Sequence, residues 1–300
     1  MRIRFAVAPG IAWDDAAGFG AFVDALEALR FDTVWLSDVP LASTLDPLLG
    51  LTYAASRTTR LKLGANVVPL GRNLFRFTKE LAQIDRLSGG RLLLSFVPGI
   101  GAPGERATLG VGDANRGAYL ETIIPLVRRW WAGETVEHHG DGFDIPPITL
   151  DPLPVQQPLE IWLGGRGPLA LARVGRFADG WLGGLTTPDD AGRARAAIEH
   201  AAADAHREID ADHFGVGITY ARTAPDPDLV RGVQARLPPG TAVESVLPVG
   251  RDAVRRLIGE FVGQGMSKFV IRGLAGPGAG PGSWDDELAW LADAVFDLQT

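Results

Sequence analysis

The sequence predicts an α/β fold, a (β/α)8 barrel of the TIM type carrying an insertion segment. Three observations carry this. Short apolar runs alternate with stretches of helical periodicity eight times along the chain, and strict alternation implies a parallel sheet covered by helices. The length, 300 residues, suits one closed barrel, which takes ~250 residues. No stretch is rich enough in linker residues to divide the chain, so residues 1–300 read as one domain.

Taken in order, residues 2–8 form the first strand, closed by Pro9-Gly10. Residues 18–30 carry Phe19, Phe22, Val23, Leu26 and Leu29 at the spacing of an amphipathic helix. The second strand, TVWLSD (33–38), ends on Asp38, and Asp46-Pro47 opens the helix of 45–56. Residues 61–68 are the third strand, 75–87 the third helix and 91–97 the fourth strand. A loop of Gly, Pro and Ala occupies about 98–113, and the fourth helix runs over 115–131. Residues 133–158, rich in Pro, Gly and Asp, interrupt the rhythm as an insertion with room for a short hairpin. Residues 159–184 hold a strand, a glycine turn, a helix and another strand. An alanine-rich helix (189–207), a seventh strand (214–220) and an irregular stretch (223–249) follow. A helix (251–263), the eighth strand (268–272), a Gly-Pro loop and a last helix capped by Ser283 close the chain.

Composition limits the function. Net charge is −7 with pI about 5.3, which does not suit a nucleic acid or an anionic membrane as partner. Absence of cysteine excludes disulfides and thiol catalysis and fits a cytoplasmic protein. No run approaches ~18 apolar residues, so no membrane span is expected, and MRIRFAVAPG has no long apolar segment of a secretory leader.

The most informative stretch is LEIWLGGRGPLALARVGRFADGWLGG, 159–184. The strand runs through Gly164, Gly165, Arg166 and Gly167 into Pro168, a residue suited to the first position of a helix. Backbone N–H groups at such a helix start, with the helix dipole behind them, favour an anion such as a phosphate. The alternative is an ordinary βα turn whose glycines only relieve steric crowding.

Other patterns are less specific. Residues 99–104 fit G-x-G-x-x-G, but Pro103-Gly104 stands where a dinucleotide fingerprint needs its helix, so a mobile loop over the barrel mouth is the better reading. His138-His139 lacks a third ligand at suitable spacing, and no metal is expected. His200 and His206 fall on the wet face of a helix, and His213 reads as a turn residue. Asp85-Arg86 and Arg91 flank the fourth strand at its N-terminal side, where an ion pair would stabilise the non-catalytic face. Trp35, Trp130, Trp162 and Trp181 fit core positions, while Trp13 sits on a loop.

Several segments, in order, resemble one family, the bacterial luciferase-like monooxygenases and coenzyme F420-dependent oxidoreductases. They are FDTVWLSD (31–38), TTRLKLGANVVPL (58–70), KELAQIDRLSGGRLLLSF (79–96), IWLGGRGPLALARVGRFADGWLGG (161–184) and, more loosely, VGRDAVRRLIGEFVGQGMSKFVIR (249–272). The resemblance implies a TIM-like barrel with an insertion, often a homodimer, holding a flavin or deazaflavin at its C-terminal mouth. It implies that Gly164, Gly165, Arg166, Gly167 and Pro168 hold the cofactor phosphate. It implies that Asn66-Val67 forms a bulge backing the ring, often through a cis peptide, and that Asp38 faces the ring as a cofactor contact and candidate catalytic group. Asp38 also has a structural reading, as a cap of the next loop.

The Ser37-Asp38 pair resembles the deazaflavin-using branch, so F420 is the preferred cofactor and FMN the alternative. The sequence departs from the sugar-phosphate dehydrogenases of that branch at Val39, where they have histidine, and at Ile100, where they have glutamate. Trp13, Val39, Leu41, Leu70, Phe75, Val97 and Ile100 would ring the mouth and suit an apolar small-molecule substrate. The expected chemistry is hydride transfer. The alternatives are a reduced-FMN monooxygenase needing a separate reductase, and a non-catalytic cofactor-binding homologue.

Overall fold

The computed structural model describes residues 1–9, 13, 15–111, 115–140, 142–274 and 283–300. Eight parallel strands close into a barrel: β1 (Arg4–Val7), β2 (Thr33–Ser37), β3 (Lys62–Val67), β4 (Leu92–Phe96), β7 (Ile161–Leu163), β8 (Gly180–Gly184), β9 (Phe214–Tyr220) and β10 (Lys268–Gly273). β10 returns to β1 in the register Arg4↔Lys268 to Val7↔Ile271. The insertion is the antiparallel hairpin β5 (Thr135–Gly140) and β6 (Phe143–Thr149), which stands outside the barrel.

The helices begin where the sequence supplies caps. N–H groups in the first turns of α1 (Ala16–Leu29), α2 (Pro47–Arg57) and α3 (Leu74–Ser88) donate to the capping side chains of Asp15, Asp46 and Asn73. α5 (Arg116–Trp131) starts on Asn115 and α7 (Pro188–Asp204) on Thr187. Each side-chain oxygen satisfies an N–H that the helix cannot. A single turn, α4 (Glu105–Thr108), lies in the 98–113 loop, and α6 (Pro168–Phe177) follows β7. The irregular 223–249 stretch holds α8 (Pro227–Gln234) and its own small apolar cluster around Val233, Leu237 and Val246. α9 (Arg251–Gly263) and α10 (Ser283–Val295) complete the outer layer. The expected cap at the Ser283 side chain lies outside the described residues. His206 falls past the end of α7, in the left-handed region at φ 53°, rather than on that helix.

The core lies between strands and helices. Phe5, Val34, Leu63, Val67, Phe96, Ile161, Phe214 and Phe269 are buried there with the apolar stripes of the helices. Inside the barrel, glycines make room for indoles. A Cβ on Gly64 would lie 2.1 Å from Trp35, and one on Gly180 would lie 2.5 Å from Trp162. Trp130 and Trp181 are fully buried, as their strand and helix positions suggested.

The structure corrects the reading of Asp85, Arg86 and Arg91, which form no ion pair with one another. Asp85 is fully buried and accepts from Val155 N (2.7 Å), Gln156 N (2.9 Å) and Gln156 Nε2 (2.7 Å). The Arg91 guanidinium donates to the carbonyls of Ala55, Thr58, Leu61 and Ser88 and to Thr58 Oγ1. Each charge serves unpaired backbone groups instead of its neighbour, and the stabilising role survives with different partners. No described helix is long and apolar enough to cross a membrane.

Candidate active site at the C-terminal mouth

The segments after β1, β2, β4, β7, β8 and β9, with the ends of β3 and β10, line a cavity of about 510 Å³ at the C-terminal end of the strands, a size typical of small-molecule sites. From β7, Gly164, Gly165 and Arg166 reach its wall. Gly165 has φ 114°, a conformation that a side chain would strain, and its carbonyl accepts from Trp181 Nε1 at 3.0 Å. Gly167 is the N-cap of α6 and supplies no side chain to it. The N–H groups of Gly165, Arg166 and Gly167 have no hydrogen-bond partner among the described residues. A Cβ on Gly167 would meet nothing within 4 Å. This is an open cradle of backbone donors at a helix N-terminus, which is what an anion needs.

On the β2–β3 side, Asp38 is nearly buried. Its N–H donates to Asn66 O at 2.8 Å, and its Oδ2 accepts from Val68 N at 3.1 Å and from Arg72 Nη2 at 2.9 Å. Arg72 also reaches Asp46 at 3.2 Å. Burial alone would lower the Arg72 pKa, but the two carboxylates more than offset it and the guanidinium is held above its usual value. Asp38 therefore ties the ends of β2 and β3 together. Its Oδ1 accepts no hydrogen bond among the described residues. Asn66 Nδ2 donates to Ser37 Oγ at 3.0 Å, which orients its amide at the rim.

Below the mouth, two buried polar atoms have no partner, Trp35 Nε1 and Ser95 Oγ. Trp35 lines the cavity, and Ser95 pairs in register with Asn66 and Trp162. Native proteins rarely leave buried polar groups unsatisfied. A residue with an orphaned indole N–H on the cavity wall, and a turn of free backbone donors on another side of it, fit a ligand with an anionic group at one end and a polar-edged ring at the other.

The expected bulge is not found. β3 keeps an unbroken register with β2 as far as Asn66 and with β4 as far as Val67. The cis peptides among the described residues are Asp151-Pro152 and Gln157-Pro158, so Asn66-Val67 is trans. Val67 is fully buried toward the helices, because the period-2 alternation that brings Asn66 to the rim sends its neighbour the other way.

The mouth also differs from the apolar ring expected for it. Val39, Val97 and Ile100 line the cavity. Leu70 and Phe75 instead line a separate cavity of about 590 Å³ with Tyr119 and Phe143 of the hairpin side. Trp13 stacks in a cluster with Phe19, Phe22 and Trp284, and Leu41 is exposed. The cavity wall carries Thr219, Arg236 and Arg272, which sequence reasoning passed over. Arg272 had a signal: Phe269 and Ile271 point outward, so Lys268, Val270 and Arg272 must point inward. Arg236 had none, since it follows α8 in the irregular stretch.

The glycine-rich 99–104 segment is no dinucleotide fingerprint. It is pinned by the buried Glu105 carboxylate, which accepts from Ile100 N (3.2 Å), Gly101 N (2.8 Å) and Arg116 Nη1 (3.0 Å). His139, exposed on the hairpin, contacts Glu137 and Asp144 at 3.0 and 3.1 Å. Those two carboxylates raise its pKa. His213 Nδ1 bonds Asp179 O at 2.9 Å, in a turn at the opposite end of the barrel.

Known proteins share this architecture. An F420-dependent secondary alcohol dehydrogenase, solved with an F420-acetone adduct, superposes with TM-score 0.82 over all of both chains at 15% identity, which shows the fold. A 5,10-methylenetetrahydromethanopterin reductase of Methanolobus tindarius is 30% identical over 168 residues, 55% of this chain and 49% of that protein. The oxygenase component of a flavin-dependent trigonelline monooxygenase of Acinetobacter baylyi is 31% identical over 127 residues, 41% of this chain and 35% of that protein. The chain spans about half the length, or less, of these curated relatives. A family model for luciferase-like monooxygenases matches residues 3–238, and the chain belongs to that family.

Proposed function

We propose that this chain is an oxidoreductase that binds a phosphate-bearing flavin-type cofactor in the mouth, F420 ahead of FMN, and exchanges a hydride between it and an organic substrate. The observation that carries the reading is the pair of unpartnered N–H groups at Gly165 and Arg166 on the same cavity as Ser37, Asp38 and Asn66, with the unpartnered N–H of Gly167 next in the turn. The bound cofactor supplies the hydride chemistry; the protein supplies position, electrostatics and exclusion of water.

The glycine turn holds the phosphate. Asp38, fixed by Arg72 and Val68 N, keeps Oδ1 for the ring or the substrate. Val39, Val97 and Ile100 give the substrate an apolar wall. Preference for F420 rests on the resemblance carried by Ser37-Asp38. The protein acts as a cytoplasmic homodimer, which the family resemblance and the cysteine-free composition support.

A second reading is favoured by the trigonelline relative, an oxygenase component by name. In it, the mouth takes reduced FMN from a separate reductase and inserts oxygen. A third, a non-catalytic cofactor binder, draws on Val39 and Ile100 standing where related enzymes carry acid–base groups.

Anaerobic mixing with reduced F420 and a panel of ketones and enals separates these readings. Substrate-dependent return of the oxidised F420 absorbance is the expected result. In a parallel aerobic assay, oxygen uptake only with reduced FMN would favour the oxygenase, and tight cofactor binding with no turnover in either assay the silent binder.

A further inference from the structure

We propose that Arg272 and Arg236 form a second anion subsite in the mouth, and that the substrate carries a carboxylate or phosphate group that docks there. The proposal rests on the cofactor reading above and adds the substrate class to it.

Arg272 projects into the barrel from the last inward position of β10. Its one hydrogen bond among the described residues is a long one, from Nη2 to Thr219 Oγ1 at 3.3 Å, and it has no ion pair. Other arginines that leave the solvent are compensated. Arg72 has two carboxylates, Arg91 five oxygens, Arg116 has Glu105 and Arg128 has Asp179. Arg272 instead faces a second cation, Arg236, on the same cavity wall. Burial, and then Arg236, push its pKa below the ordinary value. A shielded cation beside another cation is unfavourable unless an anion joins them. Clefts of shifted, uncompensated charge are where ligands bind.

The charge pattern agrees. The chain carries a net charge of −7, yet the charged groups lining this cavity are Asp38, Arg166, Arg236 and Arg272. Asp38 is already neutralised by Arg72. Two guanidinium forks suit an oxyanion, which they can hold by parallel N–H donors.

Topology separates this pair from the glycine turn. Around the barrel, β10 is followed by β9, β8 and then β7. That is three strand spacings, roughly 14 Å along the wall, so one small anion does not fill both places. With the cofactor phosphate at β7, the β9–β10 side is left to a different group.

The test uses thermal unfolding of the whole protein at constant ionic strength, with inorganic phosphate or succinate replacing chloride at tens of millimolar. A ligand that binds only the folded state raises the midpoint, and about 3 °C or more is expected. The rise should persist in Gly167→Asp, which blocks the other anion site, and vanish in Arg272→Gln. Arg236→Gln, at an exposed position where folding is not at stake, should reduce it. Without added anion, Arg272→Gln should unfold no earlier than wild type, because it removes an uncompensated charge.

A rise that survives in Arg272→Gln, or a fall of several degrees in the anion-free variant, would overturn the subsite. F420 affinity then identifies the source of the anion. A dissociation constant within threefold of wild type in Arg272→Gln supports the substrate. A tenfold loss would assign the site to the cofactor and overturn the substrate class. Failure of wild-type protein to bind F420, with the phosphate response intact, would strike the cofactor reading and leave the subsite standing.

Discussion

At the N-terminal end of the barrel, the carboxylates beside the strand starts are satisfied by neighbouring donors, and Gln299 Oε1 is the buried polar atom left without a partner there among the described residues. Glu27 accepts from the N–H groups of Thr59, Arg60 and Leu61 at 3.1, 2.9 and 2.7 Å. Asp32 sits between Arg4 and Lys62, Asp85 takes three donors, and Asp179 meets both Arg128 and Arg207. Toward the C-terminal end, Trp35 Nε1 and Ser95 Oγ inside the barrel have no partner, the N–H groups of Gly165, Arg166 and Gly167 are free on an exposed turn, and Arg272 makes one long hydrogen bond among the described residues. One end uses its charges to close unpaired backbone groups. The other keeps donors open, the pattern expected of a binding site. Polar satisfaction, more than residue type, distinguishes the two ends of this barrel.

The sharpest way to break that contrast is Asp85→Ala. Removing the carboxylate strands three buried donors, and unfolding in urea should show a loss of about 4 kcal/mol, with cofactor affinity of the folded protein unchanged. A loss below about 1 kcal/mol would remove the N-terminal face from the comparison. Gly167→Asp tests the other end. The new carboxylate caps α6, worth about 1 kcal/mol, but repels a phosphate. Cofactor affinity should fall at least 30-fold, about 2 kcal/mol, while the unfolding midpoint does not fall.

Glu27→Gln should cost about 1–2 kcal/mol at neutral pH, with a defined pH dependence. Burial raises the Glu27 pKa, but the N–H groups of Thr59, Leu61 and Arg60 outweigh it and leave the pKa below the model-compound value of 4.5. A depressed carboxylate pKa contributes stability that is complete above the unfolded value and lost as pH falls through the folded one. The gap between wild type and variant should therefore close in acid below about pH 4, measured by urea unfolding at several pH values. Asp38→Asn should cost only about 1 kcal/mol, since the amide oxygen can still accept from Val68 N and Arg72 keeps Asp46. A larger loss would move Asp38 to the structural side of the comparison.

Much of this was legible in the sequence because it is periodic or local. Strand alternation and helix periodicity gave the barrel, and the breach of rhythm at 133–158 gave the hairpin. Gly164 to Pro168 read as a turn into a helix because the residues that make it are contiguous. What stayed hidden depends on partners distant in the chain. Asp85 and Val155 are 70 residues apart, so nothing local distinguishes a backbone clamp from an ion pair with Arg86 or Arg91. Leu70 and Phe75 looked like mouth residues by their place after β3, but the hairpin, docked beside that loop, draws them into its own cavity. The expected bulge came from resemblance alone, and the backbone at Asn66-Val67 follows the ordinary ladder. Arg272 was available from strand phase and was hidden by attention to apolar residues.

The central claim is that the β7–α6 turn anchors a cofactor phosphate. Fluorescence titration of F420, and of FMN in parallel, into wild-type protein and Gly167→Asp tests it most directly. The account predicts micromolar or tighter F420 binding to wild type, weaker FMN binding, and loss of the F420 signal in the variant. Undiminished affinity in Gly167→Asp, or no binding of either cofactor to wild type, would contradict it and leave the glycines as an ordinary βα turn.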